Sequence, residues 1–329
     1  MSQQSVDIAP ISIPVARPRM LRASTRVGDR AFGAAVHAAA WVVLLVVAGL
    51  FVVLFVSAWP ALSTVPISSI ANFTWDPTDG KYGVLPFVFG TVVTSAIALL
   101  IAGPIGIACA LFLSELASRR LAGPLGMLVE LLAAVPSVVY GLWGLFVLAP
   151  VMRTTVEPFL SKTLGFLPQF QGPIYGVGML TGGVLLSIMI LPTVAAISRD
   201  VFTAVPIDQR EAMLALGATK WEVLSKAVLP YARSGVIGAL VLALGRALGE
   251  AMAVVMVIGN KPAIAASLFA PGYTMASVLA LEFTEATGRQ YVAMLIEVGL
   301  LLFVLSIVIN VIARTLVWSV ASGPRAGRK

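Results

Sequence analysis

Two ionisable side chains stand where a chain this apolar has least reason to carry them. In the segment VIGALVLALGRALGEAMAVVMVIGN, Arg246 and Glu250 lie four residues apart, which on a helix puts them on one face. An arginine in the middle of a membrane helix costs about 2.5 to 3.5 kcal/mol on insertion scales, so it is expected to face a cavity or a partner and not lipid. Its guanidinium is a planar fork of donors suited to phosphate-like oxyanions, and Glu250 is placed to hold it between substrate passages or to act as a gate. A structural ion pair fixing the packing of helices explains the same two residues, and desolvation makes such a pair weak evidence for stability. Glu130 and Glu297 read as packed or water-facing acids near the ends of apolar runs.

A second constellation is polar and compact. The stretch PIDQREAMLALGATKWEVLSKAVLP, Pro206 to Pro230, is punctuated as two short helices. Asp208 with Glu211 is spaced to cap the first, and Gly217 suits its left-handed end. Thr219 with Glu222 forms a capping-box pattern for the second, which Pro230 is expected to close. The apolar residues of this hairpin, among them Met213, Leu214, Leu216, Trp221 and Val228, exceed what so short an element can bury, so they must pack on the parent bundle or on another protein.

The elements that position these residues follow from composition. With 59% hydrophobic residues, 11% charged and a mean hydropathy of +0.98, the chain reads as an integral membrane protein. Apolar runs at Ala34 to Trp59, Leu85 to Leu113, Leu125 to Val151, Ile174 to Ile197, Val236 to Gly259 and Tyr291 to Trp318 predict six spans in an all-α polytopic fold. Gly and Pro recur within them, at Gly90, Gly103-Pro104, Pro136, Gly141, Gly144, Gly182-Gly183 and Pro192, where helices bend or approach closely. The expected organisation is a basic disordered tail over 1–33, a first span over 34–59, an outer loop over 60–84, a core over 85–319 that includes the hairpin 206–230, and a basic tail over 320–329.

Charge sets the orientation. Of 22 Lys and Arg, sixteen fall on the side of the two termini and the hairpin, five on the other, and Arg246 lies within a span. Lysine and arginine are enriched in cytoplasmic loops, so both termini and the hairpin are expected to be cytoplasmic. Arg17, Arg19, Arg22, Arg26 and Arg30 are in reach of anionic lipid heads, although orientation signalling alone accounts for them. The net charge of +7 is spread between apolar segments and forms no basic face for nucleic acid. On the outer side, TMASVLALEFTEA suggests a short amphipathic helix with Glu282 and Glu285 solvated. One cysteine, Cys109, and one histidine, His37, leave no disulfide framework, metal site or hydrolase constellation to propose, and no cofactor is expected. There is no G-x-x-x-x-G-K-[ST] loop, so the chain is expected to be non-catalytic and any ATP hydrolysis to belong to a partner.

Glu211-Ala212-Met213, Gly217 six positions after Glu211, and Leu229-Pro230 resemble the cytoplasmic signature of bacterial ABC importer permeases, with Met213 and Ala227 as apolar departures from it. The segments FVFGTVVTSAIALLIAGPIGIACALFLSE, VELLAAVPSVVYGLWGLFVLAP, ILPTVAAISRDVFTAVP and GRALGEAMAVVMVIGN narrow the likeness, which runs from about Gly83 onward, to the C-type permeases of Pst phosphate import systems. The resemblance implies a type I ABC importer permease core made of the last five helices, in the bacterial inner membrane. It implies a hairpin whose Glu211, Ala212, Gly217, Leu229 and Pro230 dock with a separate ATP-binding subunit present in two copies. It also implies pairing with an A-type permease subunit, delivery by an external phosphate-binding protein, and a role for Arg246 and Glu250 in phosphate passage. Phosphate itself comes from the likeness and not from composition. A permease for molybdate or sulfate would keep the hairpin and differ in the pore. A regulatory scaffold reporting phosphate supply is the reading from a different class.

Overall fold

The computed structural model describes residues 25–64 and 71–321. The chain divides into two units, 1–50 and 51–329. Within the first, residues 1–24 of the expected tail lie outside the described residues, while 25–33, also expected as tail, are helical: the first helix, α1, runs Thr25–Thr64. The helix therefore begins nine residues, about two and a half turns, before the apolar run that starts at Ala34. Residues 322–329 of the second expected tail also lie outside the described part.

The second unit contains five more helices long and apolar enough to cross a membrane, making six in all among the described residues. A two-stranded ribbon precedes them, β1 (Trp75–Asp76) pairing antiparallel with β2 (Lys81–Tyr82). The Asp76 carboxylate closes its turn by accepting the Thr78 hydroxyl at 2.6 Å and the Thr78 and Asp79 amides. Those bonds, the Thr78 hydroxyl first, hold its pKa below the usual aspartate range.

Helix α2 (Leu85–Leu111) starts with Pro86 in its first turn, where a missing N–H costs nothing, and ends in a π-turn at Phe112–Leu116. Its buried face is made of small residues, Gly90, Thr94, Ser95, Ala98, Ala102 and Gly106. They allow a close seam with α5 (Met179–Thr203), the most thoroughly buried helix. A Cβ on Gly106 would come within 2.8 Å of Val194, and one on Gly183 within 2.6 Å of Ile97, so both glycines are there for approach and not for turning. Ala98, Ala102, Leu186, Ile190 and Val194 form the middle of the core together with Ala243 and Ala247 from the next long helix.

The expected third span, 125–151, is not one helix. Pro136 forces Val135 out of the helical region (φ −65°, ψ 129°), splitting the segment into α3 (Arg119–Ala134) and α4 (Ser137–Leu164). Tyr140 bridges the break by donating its hydroxyl to the Leu132 carbonyl at 2.9 Å. Residues 152–164, beyond the expected end of the third span at Val151, are the second half of α4. They include the fully buried Glu157, whose Oε2 accepts the Gly176 amide at 3.1 Å.

The fifth span also departs from expectation. Helix α6 (Ile207–Ala215) is followed by α7, which runs without interruption from Lys220 to Gly249. Pro230 does not close a helix. A π-turn at Leu224–Val228 immediately precedes it, with the Leu229 amide bonding five residues back to Leu224, and this wider turn accommodates the proline ring and its missing donor. The span ends instead at Glu250, whose backbone is extended (φ −75°, ψ 116°), before a short α8 (Met252–Val257). The short outer helix is present as α9 (Met275–Glu282), but its first turn is buried and not amphipathic. Helix α10 (Arg289–Ala321) completes the fold. Glu297 on α10 is a packed acid, 1% exposed.

Candidate functional site

At one end of the bundle α6 and the start of α7 form the expected helix-turn-helix. Gly217 sits at φ +82°, and the Ala218 amide bonds to Met213 O at 3.1 Å while the Gly217 amide bonds to Leu214 O at 2.9 Å, a complete Schellman closure. Thr219 opens α7 with a reciprocal capping box to Glu222. The other expected cap is not formed. Pro206 occupies the N-cap of α6 and no side chain caps it, so Asp208 lies two residues too far along, in the first turn. Glu211, Ala212 and Pro230 are exposed and Leu229 is half-buried.

The inner faces of this hairpin are buried with Phe202, Val205, Val223, Leu224 and Val228. Its outer crown is not: Leu214, Leu216 (84% exposed) and Trp221 (71%) have no cover among the described residues. The anchorage is ionic as well as apolar. Arg210 donates to both oxygens of Glu115, at 2.7 and 3.3 Å, and to the carbonyl oxygens of Phe202 and Val205. One guanidinium thus fastens the hairpin to the ends of α2 and α5. Only the opposite charges of Arg210 and Glu115 hinted at this in the sequence; their partnership across the fold has no local signal.

Arg246 and Glu250 do not form the expected pair. Helical spacing fails because the helix stops at Gly249, so Glu250 leaves the face that carries Arg246. Arg246 donates instead across to α5, from Nη1 to Thr193 Oγ1 at 3.3 Å, and is otherwise exposed. Glu250 turns toward α8, where Oε1 accepts the Ala253 amide at 3.4 Å. The ion pairs among the described residues join Lys81 with Asp79, Arg199 with Glu130, Arg210 with Glu115 and Lys226 with Glu222. Beside the break at Glu250 a largely apolar groove of about 630 Å³ opens between Gly249, Ala251, Leu279, Phe283 and Gly299.

At the opposite end, Glu282 is not simply solvated. Its Oε2 accepts the Trp75 indole N–H at 2.9 Å and the Tyr291 hydroxyl at 2.7 Å, tying the ribbon to α9 and α10. Trp75 also packs edge-on against Tyr82 and Phe87. Glu285 is exposed as expected.

Six helices long and apolar enough to cross a membrane, with a capped, ion-anchored hairpin, suit a transport permease, and the family match gives that class. The chain belongs to the family of binding-protein-dependent transport system inner membrane components, which matches residues 102–321. Among curated relatives, it is 49% identical over 290 residues to the phosphate transport system permease protein PstC of Mesorhizobium japonicum, covering 87% of this chain and 89% of that one. The protein of the same name from Pasteurella multocida is 43% identical over 291 residues, covering 87% and 90%. Among solved structures, an inward-facing MetNI methionine ABC transporter aligns with a TM-score of 0.53 at 17% identity, over 72% of this chain and 95% of that one, a likeness of fold.

Proposed function

We propose that this chain is one of two permease subunits of an ATP-driven importer of inorganic phosphate, forming half of the translocation pathway. The observation that carries the reading is the continuity of α7. Its 30 residues, about 45 Å of helix, begin at the capped hairpin and end just past Arg246. A push on Trp221 is delivered to the Arg246 side chain as rigid-body movement, because the π-turn keeps the helix unbroken through Pro230.

The exposed crown of Leu214, Leu216 and Trp221, with Glu211 and Ala212 beside it, is the surface that a separate ATP-binding subunit covers. Two such subunits and a second, A-type permease complete the assembly, and an external phosphate-binding protein delivers substrate to the other face. The hairpin and both termini then face the cytoplasm. Arg246 supplies the positive charge in the pathway. Glu250, on the extended link after α7, stands beside the pathway and ties the end of α7 to α8 through the Ala253 amide. A single partly open guanidinium attracts an oxyanion while still allowing release.

The test is reconstitution of the chain with its partner subunits and binding protein, followed by ATP-dependent phosphate uptake for wild type, Glu211→Lys and Arg246→Ala. Glu211→Lys is expected to lose association with the ATPase. Arg246→Ala is expected to assemble and not transport. Normal transport by Arg246→Ala removes it from the pathway, and indifference to phosphate with uptake of molybdate or sulfate reassigns the substrate.

A further inference from the structure

The hydroxyl of Thr193 is bonded differently from the other threonines of the same helices. Thr91 and Thr94 on α2 donate to the carbonyls of Phe87 and Gly90 and Thr203 on α5 to that of Arg199, each within its own helix, while Thr181 at the start of α5 donates to the carbonyl of Gly176 in the segment just before it. Such back-bonding is the ordinary fate of a threonine hydroxyl in a membrane helix, where no water competes. Thr193 instead accepts from Arg246 Nη1 at 3.3 Å, and among the described residues its own proton goes to no acceptor. It follows Pro192, is half-buried, and stands beside a guanidinium whose remaining N–H groups are open.

A hydroxyl that accepts one hydrogen bond still has a proton to give, and a guanidinium has five donors in a plane. Thr193 and Arg246 together therefore offer donors from two different helices, converging on one place and without a competing carboxylate bonded to either. A tetrahedral oxyanion, rich in acceptors, fits that set.

We propose that Thr193 is a second substrate contact in the pathway, orienting the Arg246 fork and donating its hydroxyl proton to the same oxyanion. The proposal rests on Arg246 lining the pathway. Because Thr193 belongs to α5 and Arg246 to α7, the two donors act together only while those helices hold their present relation. Displacement of α7 separates them, and the oxyanion loses one of its two holds at that moment.

The experiment uses the complete reconstituted complex, with binding protein loaded with inorganic phosphate, and reads phosphate moved per ATP hydrolysed. Thr193→Val keeps the shape and removes the hydroxyl; Thr193→Ser keeps the hydroxyl and removes the methyl. Thr193→Val is expected to lower the ratio about tenfold, the scale of one hydrogen bond to a charged group, and Thr193→Ser to stay within about twofold of wild type. Equal impairment by both variants assigns Thr193 a packing role and overturns the proposal. A normal ratio for Thr193→Val with a failed Arg246→Ala overturns the Thr193 contact alone, whereas normal ratios for both also remove the pathway reading. If Thr193→Val does not assemble, Thr193→Ala is read in its place against the same Thr193→Ser standard.

Discussion

Arg210 grips Glu115 from 95 positions away in the chain, with two of its nitrogens on the two carboxylate oxygens. Both side chains are largely withdrawn from solvent, at 18% and 13% exposure. The same guanidinium also donates to carbonyls at the end of α5, that of Phe202, which takes the Val205 amide as well, and, one turn on, that of Val205. The pair is therefore a junction of three elements and not a simple attraction of opposite charges.

Removing one partner should cost roughly 2 to 4 kcal/mol, since the other is left charged and poorly hydrated. Thermal unfolding of the detergent-solubilised protein is expected to show comparable losses for Glu115→Gln and Arg210→Met. The exchange Glu115→Arg with Arg210→Glu should recover only part of the loss, because a carboxylate at position 210 cannot donate to Phe202 and Val205. Full recovery by the exchange would show that the carbonyl bonds contribute nothing.

Gly217 tests the turn of the hairpin separately from its packing. A Cβ there meets nothing within 4 Å, so a substitution is penalised only through its left-handed backbone. Gly217→Ala should destabilise the hairpin by about 1 kcal/mol and Gly217→Asn by less, measured as faster hydrogen exchange at the amides of Gly217 and Ala218. Equal exchange in all three proteins would mean that the Schellman closure is not what holds the turn.

Pro230 gives a prediction opposite to its usual reputation. The π-turn before it exists to fit the proline, so Pro230→Ala should let Leu224–Val228 relax to ordinary α-helix. That removes the one-residue offset and turns the hairpin by about 100° relative to the rest of α7. Cysteine cross-linking between positions 220 and 116, which line one groove, compared with and without the substitution, reads the rotation; an unchanged pattern would place the cause of the π-turn elsewhere.

Glu282 should tolerate Gln better than Leu. Gln keeps an acceptor for Trp75 and Tyr291, whereas Leu leaves both donors without one in a half-buried place. Glu282→Leu is expected to lower stability by about 1 to 3 kcal/mol in thermal unfolding and Glu282→Gln by less than 1 kcal/mol. Equal effects would assign the ribbon's attachment to its aromatic packing alone.

The six apolar runs, the Gly217 turn and the Thr219 box were legible because each is written in consecutive residues. What could not be read was anything depending on where a helix stops. Arg246 and Glu250 have helical spacing, but the helix ends between them, and no residue in ALGEAM announces that as Pro136 announces the break before α4. Pro230, conversely, looks like a terminator and is absorbed by a π-turn. Thr193 and Glu115 carry no local mark at all: their roles depend on which helix faces them, a matter of tertiary packing.

The burial of α5 also bears on how the chain enters the bilayer. Neighbouring α4 carries Arg153 and Glu157, and α7 carries Arg246, so neither is an easy passenger through hydrocarbon alone. The Gly176 amide and the Thr193 hydroxyl that receive two of these side chains belong to α5 or to the loop just before it. During synthesis α4 must therefore wait for the segment leading into α5 before its glutamate is housed, while α7, arriving later, finds its host already in place. A stalled chain ending before Gly176 should accordingly leave α4 shallow and open to extraction.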